Sequence, residues 1–283
     1  MRWQGDRESE NIEDRRGTPG GPMVITGGLG TLVIVLVSLY LGIDPTALLQ
    51  QVGGPQGPMP GAPAPDIEGQ RETRDFVAVV LADTEDVWSD LFRQMDRQYE
   101  QPRLVLFNGE VQSACGNASA AMGPFYCPRD HKVYLDLTFF DELRTRFRAP
   151  GNFAQAYVVA HEIGHHVQNQ LGTMEKMEAL KARLGPRSAN ELSVRLELQA
   201  DFLAGVWAHH AQRMKNIIEP GDIDAALQAA TAIGDDRLQR QSQGYIVPDS
   251  FTHGTSEQRA RWFRKGFETG DISAGDTFNT DQL

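Results

Sequence analysis

Cysteine is scarce in this chain, since only two of its 283 residues are cysteines. A four-thiolate zinc ribbon needs twice that number, and small secreted domains held by several disulfides need more still. The length allows one large domain or two small ones with a buried core. The chain is therefore expected to be neither a cysteine-based zinc module nor a disulfide-rich miniprotein.

Basic residues are also in deficit. The chain has 27 lysines and arginines against 38 aspartates and glutamates, so its formal charge at neutral pH is −11. A nucleic-acid-binding protein needs a basic surface that displaces the counterions of the phosphate backbone. This acidic balance argues against a nucleic acid as a partner.

One long segment lacks charge altogether. Residues 23–43 form a run of 21 residues without a single charged side chain. As a helix this run would be about 31 Å long, close to the ~30 Å hydrocarbon core of a bilayer. A buried core helix and a cleaved signal peptide are the alternatives, although the apolar core of a signal peptide is usually only about 7–15 residues long. We expect an uncleaved transmembrane helix that contacts the lipid bilayer.

The charges that flank this segment predict its orientation. Four arginines precede it: Arg2, Arg7, Arg15 and Arg16. The next basic residue is Arg71, and basic residues resist translocation, so the N-terminus is expected to stay in the cytoplasm. The prediction is a single-pass protein of the inner (cytoplasmic) membrane whose remaining chain lies in the periplasm or outside the cell.

Composition changes again after the apolar run. The segment that follows is rich in proline and glycine and cannot bury enough apolar surface to fold, so we expect a flexible linker. The rest of the chain has the composition of a globular domain. The predicted organisation is a cytoplasmic tail over 1–22, a transmembrane helix over 23–43, a linker over 44–74 and a domain over 75–283.

Hydrophobic periodicity indicates the fold class of this domain. Apolar residues at three- and four-residue spacing predict helices over 75–98, 153–171, 188–214, 222–241 and 256–268. Short runs rich in β-branched and aromatic residues predict strands at 104–107 and 133–140. A capping box is expected at Ser188, and Thr255 or Ser256 is expected to cap the last helix. A helix-rich domain with a small sheet belongs to the α+β class.

The two cysteines, Cys115 and Cys127, have eleven residues between them and lie between the two predicted strands. In an oxidising compartment a disulfide can close a loop of this length. Two unrelated reduced thiols are the alternative, and a metal role is disfavoured because the chain has no other cysteine. We expect the disulfide.

The most informative motif is H-E-x-x-H, formed by His161, Glu162 and His165 in a predicted helix. Residues four apart lie on one face of a helix, so both imidazoles can bind a single Zn²⁺. Glu162 can then reach a metal-bound water as its general base. A pair of histidines on a solvated helix face is the alternative. His166 points about 100° away from His165 and is not expected to be a ligand.

Catalytic zinc sites usually have three protein ligands and one open position. No third histidine follows at the spacing of the extended H-E-x-x-H motifs. The next predicted helix offers Glu197 and Asp201, one turn apart, so Glu197 can bind the metal while Asp201 accepts the other ring N–H of a zinc histidine. A solvated acidic face is the alternative, but Leu196 and Leu198 make a fully wet face improbable.

These motifs resemble those of the glutamate-ligand zincins, the thermolysin-like group in which H-E-x-x-H is followed on a later helix by E-x-x-x-D. From its first residues (MRWQGDRESENIEDRRG) to near its end (DSFTHGTSEQRARWFRKGFETGD), the chain is similar to the bacterial neutral zinc metallopeptidase family. The similarity includes the apolar segment, the CG…GPFYCP…VYLDL stretch and the AHEIGHHVQ helix. It implies a zincin-like fold, one Zn²⁺ per chain, the ligands His161, His165 and Glu197, and Glu162 as the base.

The resemblance also bears on residues outside this motif. Related membrane zincins have a histidine–proline segment followed by an arginine, so His253 is expected by analogy to stabilise the oxyanion, with Arg259 as its supporting partner. Alternatively, His253 only helps to cap the helix that begins near Thr255. Relatives often carry a further cysteine pair where this chain has Phe202 and Gly275, which implies that a second disulfide is absent here.

Together these features predict a membrane-anchored, zinc-dependent endopeptidase that acts on protein or peptide substrates. We expect the substrate backbone to add as a strand beside one of the two predicted strands. The alternative is a non-catalytic, membrane-anchored binding protein with a structural zinc site, which would need a fourth protein ligand.

Overall fold

The structure is a computed structural model that describes residues 1–17 and 67–283. Residues 1–16 and 67–283 form one compact unit, which is rich in helices and contains a small sheet. The α+β class predicted for the domain is therefore confirmed.

The main sheet has four strands in the order β1 (Ile12–Asp14), β2 (Arg103–Phe107), β6 (Lys132–Asp136) and β5 (Phe125–Cys127). The strands β1, β2 and β6 run parallel, and β5 pairs antiparallel with β6. A separate hairpin consists of β3 (Glu110–Ser113) and β4 (Gly116–Ser119). Both strands predicted from the sequence, β2 and β6, are interior strands, so neither has the free edge to which a substrate strand was expected to add.

Eight α-helices complete the described part of the chain: α1 (Arg71–Gln94), α2 (Thr138–Thr145), α3 (Asn152–Gln170), α4 (Thr173–Lys181), α5 (Pro186–Lys215), α6 (Asp222–Ala232), α7 (Asp235–Gln243) and α8 (Ser256–Thr269). Helix α3 lies in the core, where it packs against α1, α5 and α6. Its residues from Ala156 to Gln168 are all buried, so the H-E-x-x-H motif belongs to a buried helix and not to a wet face.

Four predicted elements have other bounds in the structure. The helix predicted over 75–98 is α1, Arg71–Gln94, so it begins inside the predicted linker 44–74. The second predicted strand ends at Asp136, because that carboxylate accepts hydrogen bonds from the backbone N and the hydroxyl of Thr138 and starts α2 there. Helix α5 begins at Pro186 without the capping box predicted at Ser188. The predicted helix 222–241 is two helices, α6 and α7, because the backbone at Gly234 is extended and not helical. Gly234 is closely packed, since a Cβ there would lie 2.4 Å from the backbone nitrogen of Ser256.

Two glycine contacts bring the central helices unusually close together. A Cβ at Gly164 of α3 would lie 2.8 Å from the carbonyl oxygen of Ala200 in α5. Where α5 crosses α8, a Cβ at Gly205 would lie 2.1 Å from the carbonyl oxygen of Phe263, and a Cβ at Gly266 would be equally obstructed. Only glycine permits backbones to approach this closely, and the approach lets side chains of α3, α5 and α8 meet at one point.

The predicted localisation is wrong. No helix within residues 1–17 and 67–283 is long and apolar enough to cross a membrane. The segment 23–43, to which the span and the lipid contact were assigned, lies outside the described residues, as does the linker up to residue 66. The N-terminal tail was expected on the opposite side of a membrane from the domain, yet β1 pairs with β2 in the sheet of that domain.

Three of the four arginines that suggested this topology form ion pairs. Arg7 binds the buried carboxylate of Glu85 at 3.1 Å, Arg15 pairs with Glu13, and Arg16, which is itself buried, pairs with Asp14 at 2.6 Å. The count of flanking basic residues was therefore misleading, because three of these side chains form ion pairs in a folded unit.

Cys115 and Cys127 form the predicted disulfide, which links the hairpin to the end of β5. At the two positions where relatives were expected to carry a further cysteine pair, Phe202 and Gly275 contact each other. A Cβ at Gly275 would lie 2.4 Å from the ring of Phe202. An aromatic ring packed on a glycine therefore joins α5 to the C-terminal segment at this point.

Candidate metal centre

Two helices bring three potential metal ligands together. His161 and His165 project from the same face of α3, and Glu197 projects towards them from α5. The Nε2 atom of His161 lies 3.2 Å from one carboxylate oxygen of Glu197, and the Nε2 atom of His165 lies 3.5 Å from the other. The three ligand atoms lie within 4.8 Å of one another, so this cluster can hold a metal ion.

Asp201 holds the other ring nitrogen of His161. One turn after Glu197 on α5, this fully buried carboxylate lies 2.9 Å from Nδ1 of His161. A carboxylate at this site only accepts hydrogen bonds, so Nδ1 carries a proton and Nε2, which faces Glu197, is the ring nitrogen left to bind a metal ion.

Asp201 is in turn held by two residues of neighbouring helices. The buried guanidinium of Arg259, on α8, donates from Nε to one carboxylate oxygen at 2.8 Å and from Nη2 to the other at 3.0 Å. The hydroxyl of Tyr157 donates to Asp201 at 2.5 Å. Arg259 was expected to support His253, but its described polar contacts go to Asp201, Tyr157, the carbonyl of Ile233 and the ring of His161.

This surrounding charge controls the protonation of the acidic groups. Burial raises the pKa of Asp201, but the charges of Arg259 and His161 outweigh it and bring this pKa to about 2. Burial likewise opposes ionisation of Glu197, yet the two histidines bring its pKa well below the ordinary value. Conversely, burial lowers the pKa of His161, and Asp201 and Glu197 raise it to about 10. The site thus stabilises the ionised carboxylates of Glu197 and Asp201 on α5, and it stabilises positive charge between α3 and α5.

His165 has a different outer partner, which sequence reasoning missed. Its Nδ1 atom lies 2.9 Å from the side-chain oxygen of Gln168, a fully buried residue one turn further along α3. The spacing of three residues after a candidate ligand is the only sequence signal for this contact.

The ligand cluster opens onto a cavity of about 510 Å³. Glu162, which is 8 % exposed, lines the cavity together with the three ligands. The wall opposite them includes residues 120–125, which lead into the edge strand β5. The arrangement leaves one side of the cluster accessible to a small molecule or a peptide.

His253 lines the same cavity from the loop before α8. It is half exposed, and its Nδ1 lies 3.2 Å from the carboxylate of Asp235. The same carboxylate accepts hydrogen bonds from the backbone N–H groups of Thr252, His253 and Gly254. Thr255 caps α8 with a full capping box, so that helix does not depend on the side chain of His253 for its cap.

Three further histidines, His166, His209 and His210, have partners outside the cluster. His166 is buried on the other side of α3, between the hydroxyl of Tyr126 and the carbonyl of Glu100. Burial lowers its pKa to about 4. His209 and His210 bond carbonyl oxygens of Phe267 and Gly270 near the end of α8.

The donor set is that of a zinc site. Two imidazole nitrogens and one carboxylate are the ligands of one common class of catalytic zinc, and each histidine has a partner on its second ring nitrogen. The family described as "Putative neutral zinc metallopeptidase" matches residues 1–278, and the chain belongs to this family. The family implies a Zn²⁺ cofactor, which agrees with the cluster of His161, His165 and Glu197.

Relatives are similar over nearly their whole length. The chain is 48% identical over 289 residues to the uncharacterised protein YpfJ of Escherichia coli strain K12, covering 98% of this chain and 99% of the relative. It is 40% identical over 258 residues to the uncharacterised protein Mb2605 of Mycobacterium bovis, covering 87% and 86%. No solved structure matches the chain.

Proposed function

We propose that this protein is a zinc-dependent endopeptidase with a zincin-like active site, in which Glu162 is the general base. The observation that carries the proposal is the convergence of His161, His165 and Glu197 at the wall of an open cavity that Glu162 also lines. Membership of the zinc metallopeptidase family supports it.

A zinc ion bound by these three ligands would supply Lewis-acid chemistry, polarising a carbonyl and lowering the pKa of a water molecule. The chain's own residues would do the rest. Asp201 and Gln168 would keep both ring protons on Nδ1, so that both Nε2 lone pairs remain available. Glu162 would accept the proton of the attacking water and deliver it to the leaving amine.

His253 would stabilise the oxyanion that develops on the scissile carbonyl. Its Nδ1 faces Asp235, and it borders the cavity that contains the ligands. A hydrogen bond donated from this ring would strengthen as negative charge develops on the carbonyl oxygen. Arg259 would act at a distance by holding Asp201 and through it the ring of His161.

The substrate would be a peptide segment bound in extended form. Among the described strands of the main sheet, β5 is an edge strand, and it follows the cavity-lining residues 120–124. An extended peptide that paired with this segment would cross the cavity in front of Glu162. This edge replaces the two interior strands that were expected to receive the substrate.

The alternative of a non-catalytic protein with a structural zinc site fits less well. Closed structural sites use four protein ligands, whereas the cluster found among the described residues has three and opens onto the cavity. An open position beside a carboxylate is the arrangement expected of a catalyst.

Replacing Glu162 by glutamine tests the proposal directly. The amide keeps the size of the side chain but cannot accept the proton, so cleavage of a peptide library should fall by about 10²–10⁴-fold. Zinc content should stay at one ion per chain, because Glu162 is not a ligand. The experiment uses the full chain, since residues 1–16 belong to the same compact unit as the site.

Glu142→Gln is the matched control. Glu142 also lines the cavity, but it pairs with Arg146 and lies outside the ligand cluster. This variant should cleave at close to the parent rate. A Glu162→Gln variant that cleaves as fast as the parent would exclude the proposed mechanism.

A further inference from the structure

We propose that Gln168 is a positioning residue of the metal centre, which fixes the ring of His165 and ties it to the backbone of the helix that carries Glu197. The inference rests on the zinc centre proposed above, but it does not depend on peptidase activity. It assigns a role to a buried polar side chain that lies outside H-E-x-x-H.

The orientation of the Gln168 amide follows from its surroundings. Its Nε2 lies 2.7 Å from the carbonyl oxygen of Leu196 and 3.1 Å from the side-chain oxygen of Gln199. Both neighbours are acceptors, so the amide nitrogen must face them and the amide oxygen must face His165. The assignment of oxygen and nitrogen is therefore determined by the hydrogen-bond network.

This orientation determines the tautomer of His165. The amide oxygen lies 2.9 Å from Nδ1 of the ring and can only accept a hydrogen bond, so Nδ1 carries the proton. The Nε2 atom, which lies 3.5 Å from the carboxylate of Glu197, is then the ring nitrogen left to bind a metal ion. Gln168 thereby performs for His165 the task that Asp201 performs for His161, with a neutral group in place of a charged one.

The same amide also fixes the distance between the two helices. The carbonyl that accepts its N–H belongs to Leu196, the residue directly before the ligand Glu197. One side chain thus connects a ligand of α3 to the backbone next to the ligand of α5. Because Gln168 is fully buried, water cannot substitute for these hydrogen bonds without a rearrangement.

Replacing Gln168 by methionine removes the hydrogen bonds while nearly keeping the volume. Partners of this kind typically contribute 10–100-fold to metal affinity, so the zinc dissociation constant should rise by about 10–100-fold. It can be measured on the full chain by competition with a chromophoric chelator. The visible spectrum of the cobalt-substituted protein should change as well, because the His165 ring is free to turn.

Gln168→Glu is the conservative variant. It keeps an oxygen that can accept the Nδ1 proton of His165, so its zinc affinity should be higher than that of Gln168→Met. Asn169→Leu is the matched control on the same helix, since it removes a hydrogen bond to Tyr126 on the side away from the cluster. That control should leave zinc affinity and the cobalt spectrum unchanged.

The outcomes separate this inference from the proposed function. A parent chain that binds no zinc overturns the zinc centre and this inference with it. Tight binding by the parent and equally tight binding by Gln168→Met overturns the inference alone, as does an equal loss in the Met and Glu variants.

One measurement needs no variant and so does not depend on how well a variant folds. In the zinc-loaded parent chain, the Nδ1 proton of His165 should exchange slowly with solvent and give its own nitrogen-coupled NMR signal, because a buried amide oxygen accepts it. A signal on Nε2 in its place would overturn the proposal.

Discussion

At the scale of single residues, Asp235 determines where the loop containing His253 lies. Its buried carboxylate accepts hydrogen bonds from three consecutive backbone N–H groups, at 2.7, 2.6 and 3.1 Å, and also contacts the ring of His253. Nothing in the local sequence marks this aspartate, which lies 18 residues before the histidine that it holds. A contact of that kind depends on how α7 meets the loop before α8.

The stability contributed by Asp235 should depend on pH. Burial raises the pKa of this carboxyl, but the hydrogen bonds from the side chain and backbone of His253 outweigh it, so the folded-state pKa lies below the ordinary value. An acid with a depressed folded-state pKa stabilises the fold above its unfolded pKa of about 3.9 and loses that effect as the pH falls towards the folded value. Asp235→Asn should therefore cost about 1–3 kcal/mol at pH 7, and less below about pH 4.

The measurement is the difference in free energy of unfolding between the parent and Asp235→Asn, taken by urea denaturation from pH 7 to pH 3. The exposed Asp224 provides a control, and Asp224→Asn should show a small difference at every pH. A constant cost for Asp235→Asn across this range would contradict the assignment.

At the scale of elements, the metal centre depends on the close approach of α3 and α5. Gly164, inside the H-E-x-x-H motif, faces the backbone of Ala200, which lies between Glu197 and Asp201. The sequence predicts that His161 and His165 share one face of a helix. It does not predict which face of α5 they meet, because helix crossing is decided by the fit of the two surfaces.

Gly164→Ala should disturb this approach. Its Cβ would lie 2.8 Å from a backbone oxygen that cannot rotate away, so the helices must separate. Overpacking of this kind costs about 1–3 kcal/mol, which the gain in helix propensity of up to about 1 kcal/mol does not offset. Urea denaturation should show a net loss, and the zinc dissociation constant should rise because the ligands are on different helices.

Gly185→Ala is the matched control for that experiment. Gly185 lies at the start of α5 with no atom within 4 Å of the position of a Cβ. The control should change stability little and zinc affinity not at all. If Gly164→Ala bound zinc like this control, the helix spacing would not matter to the site.

At the scale of the whole molecule, the N-terminal segment is part of the domain. The strand β1 pairs with β2, the backbone of Ser9 bonds to Ala78 of α1, and Glu85 accepts hydrogen bonds from Arg7, Ser9 and Asn11. Glu85 is only 1% exposed, so its carboxylate oxygens depend on these partners for their hydrogen bonds. The segment therefore both extends the sheet and compensates a buried carboxylate.

Deleting residues 1–14 should destabilise the domain strongly. The deletion removes three hydrogen-bond donors to Glu85, which typically contribute about 0.5–1.5 kcal/mol each, together with the pairing of β1 along the edge of β2. Urea denaturation and limited proteolysis should both register the loss. A truncated chain as stable as the parent would show that the segment is dispensable.

The sequence alone determined the helix-rich α+β class and the family. It also predicted the helix that contains H-E-x-x-H, the candidate ligand Glu197, its neighbour Asp201 and the disulfide. The signals for these features are local in the sequence. They are the spacing of residues on one helix, the residue types, and the short loop between the two cysteines. The orientation predicted from local charge failed, because in the tertiary structure Arg7 pairs with Glu85 and β1 joins the sheet of the domain.

Tertiary structure alone decided which groups surround the ligands. Gln168, Asp235 and Tyr157 lie outside H-E-x-x-H, and Arg259 was assigned by analogy to His253 although its carboxylate partner is Asp201. The contacts of Gln168 with Leu196, of Tyr157 and Arg259 with Asp201, and of Asp235 with the backbone of Gly254 each join different helices or a helix and a loop. The sequence specifies the donors, but the distance between two helices, and hence which donor meets which acceptor, is set only when the core packs.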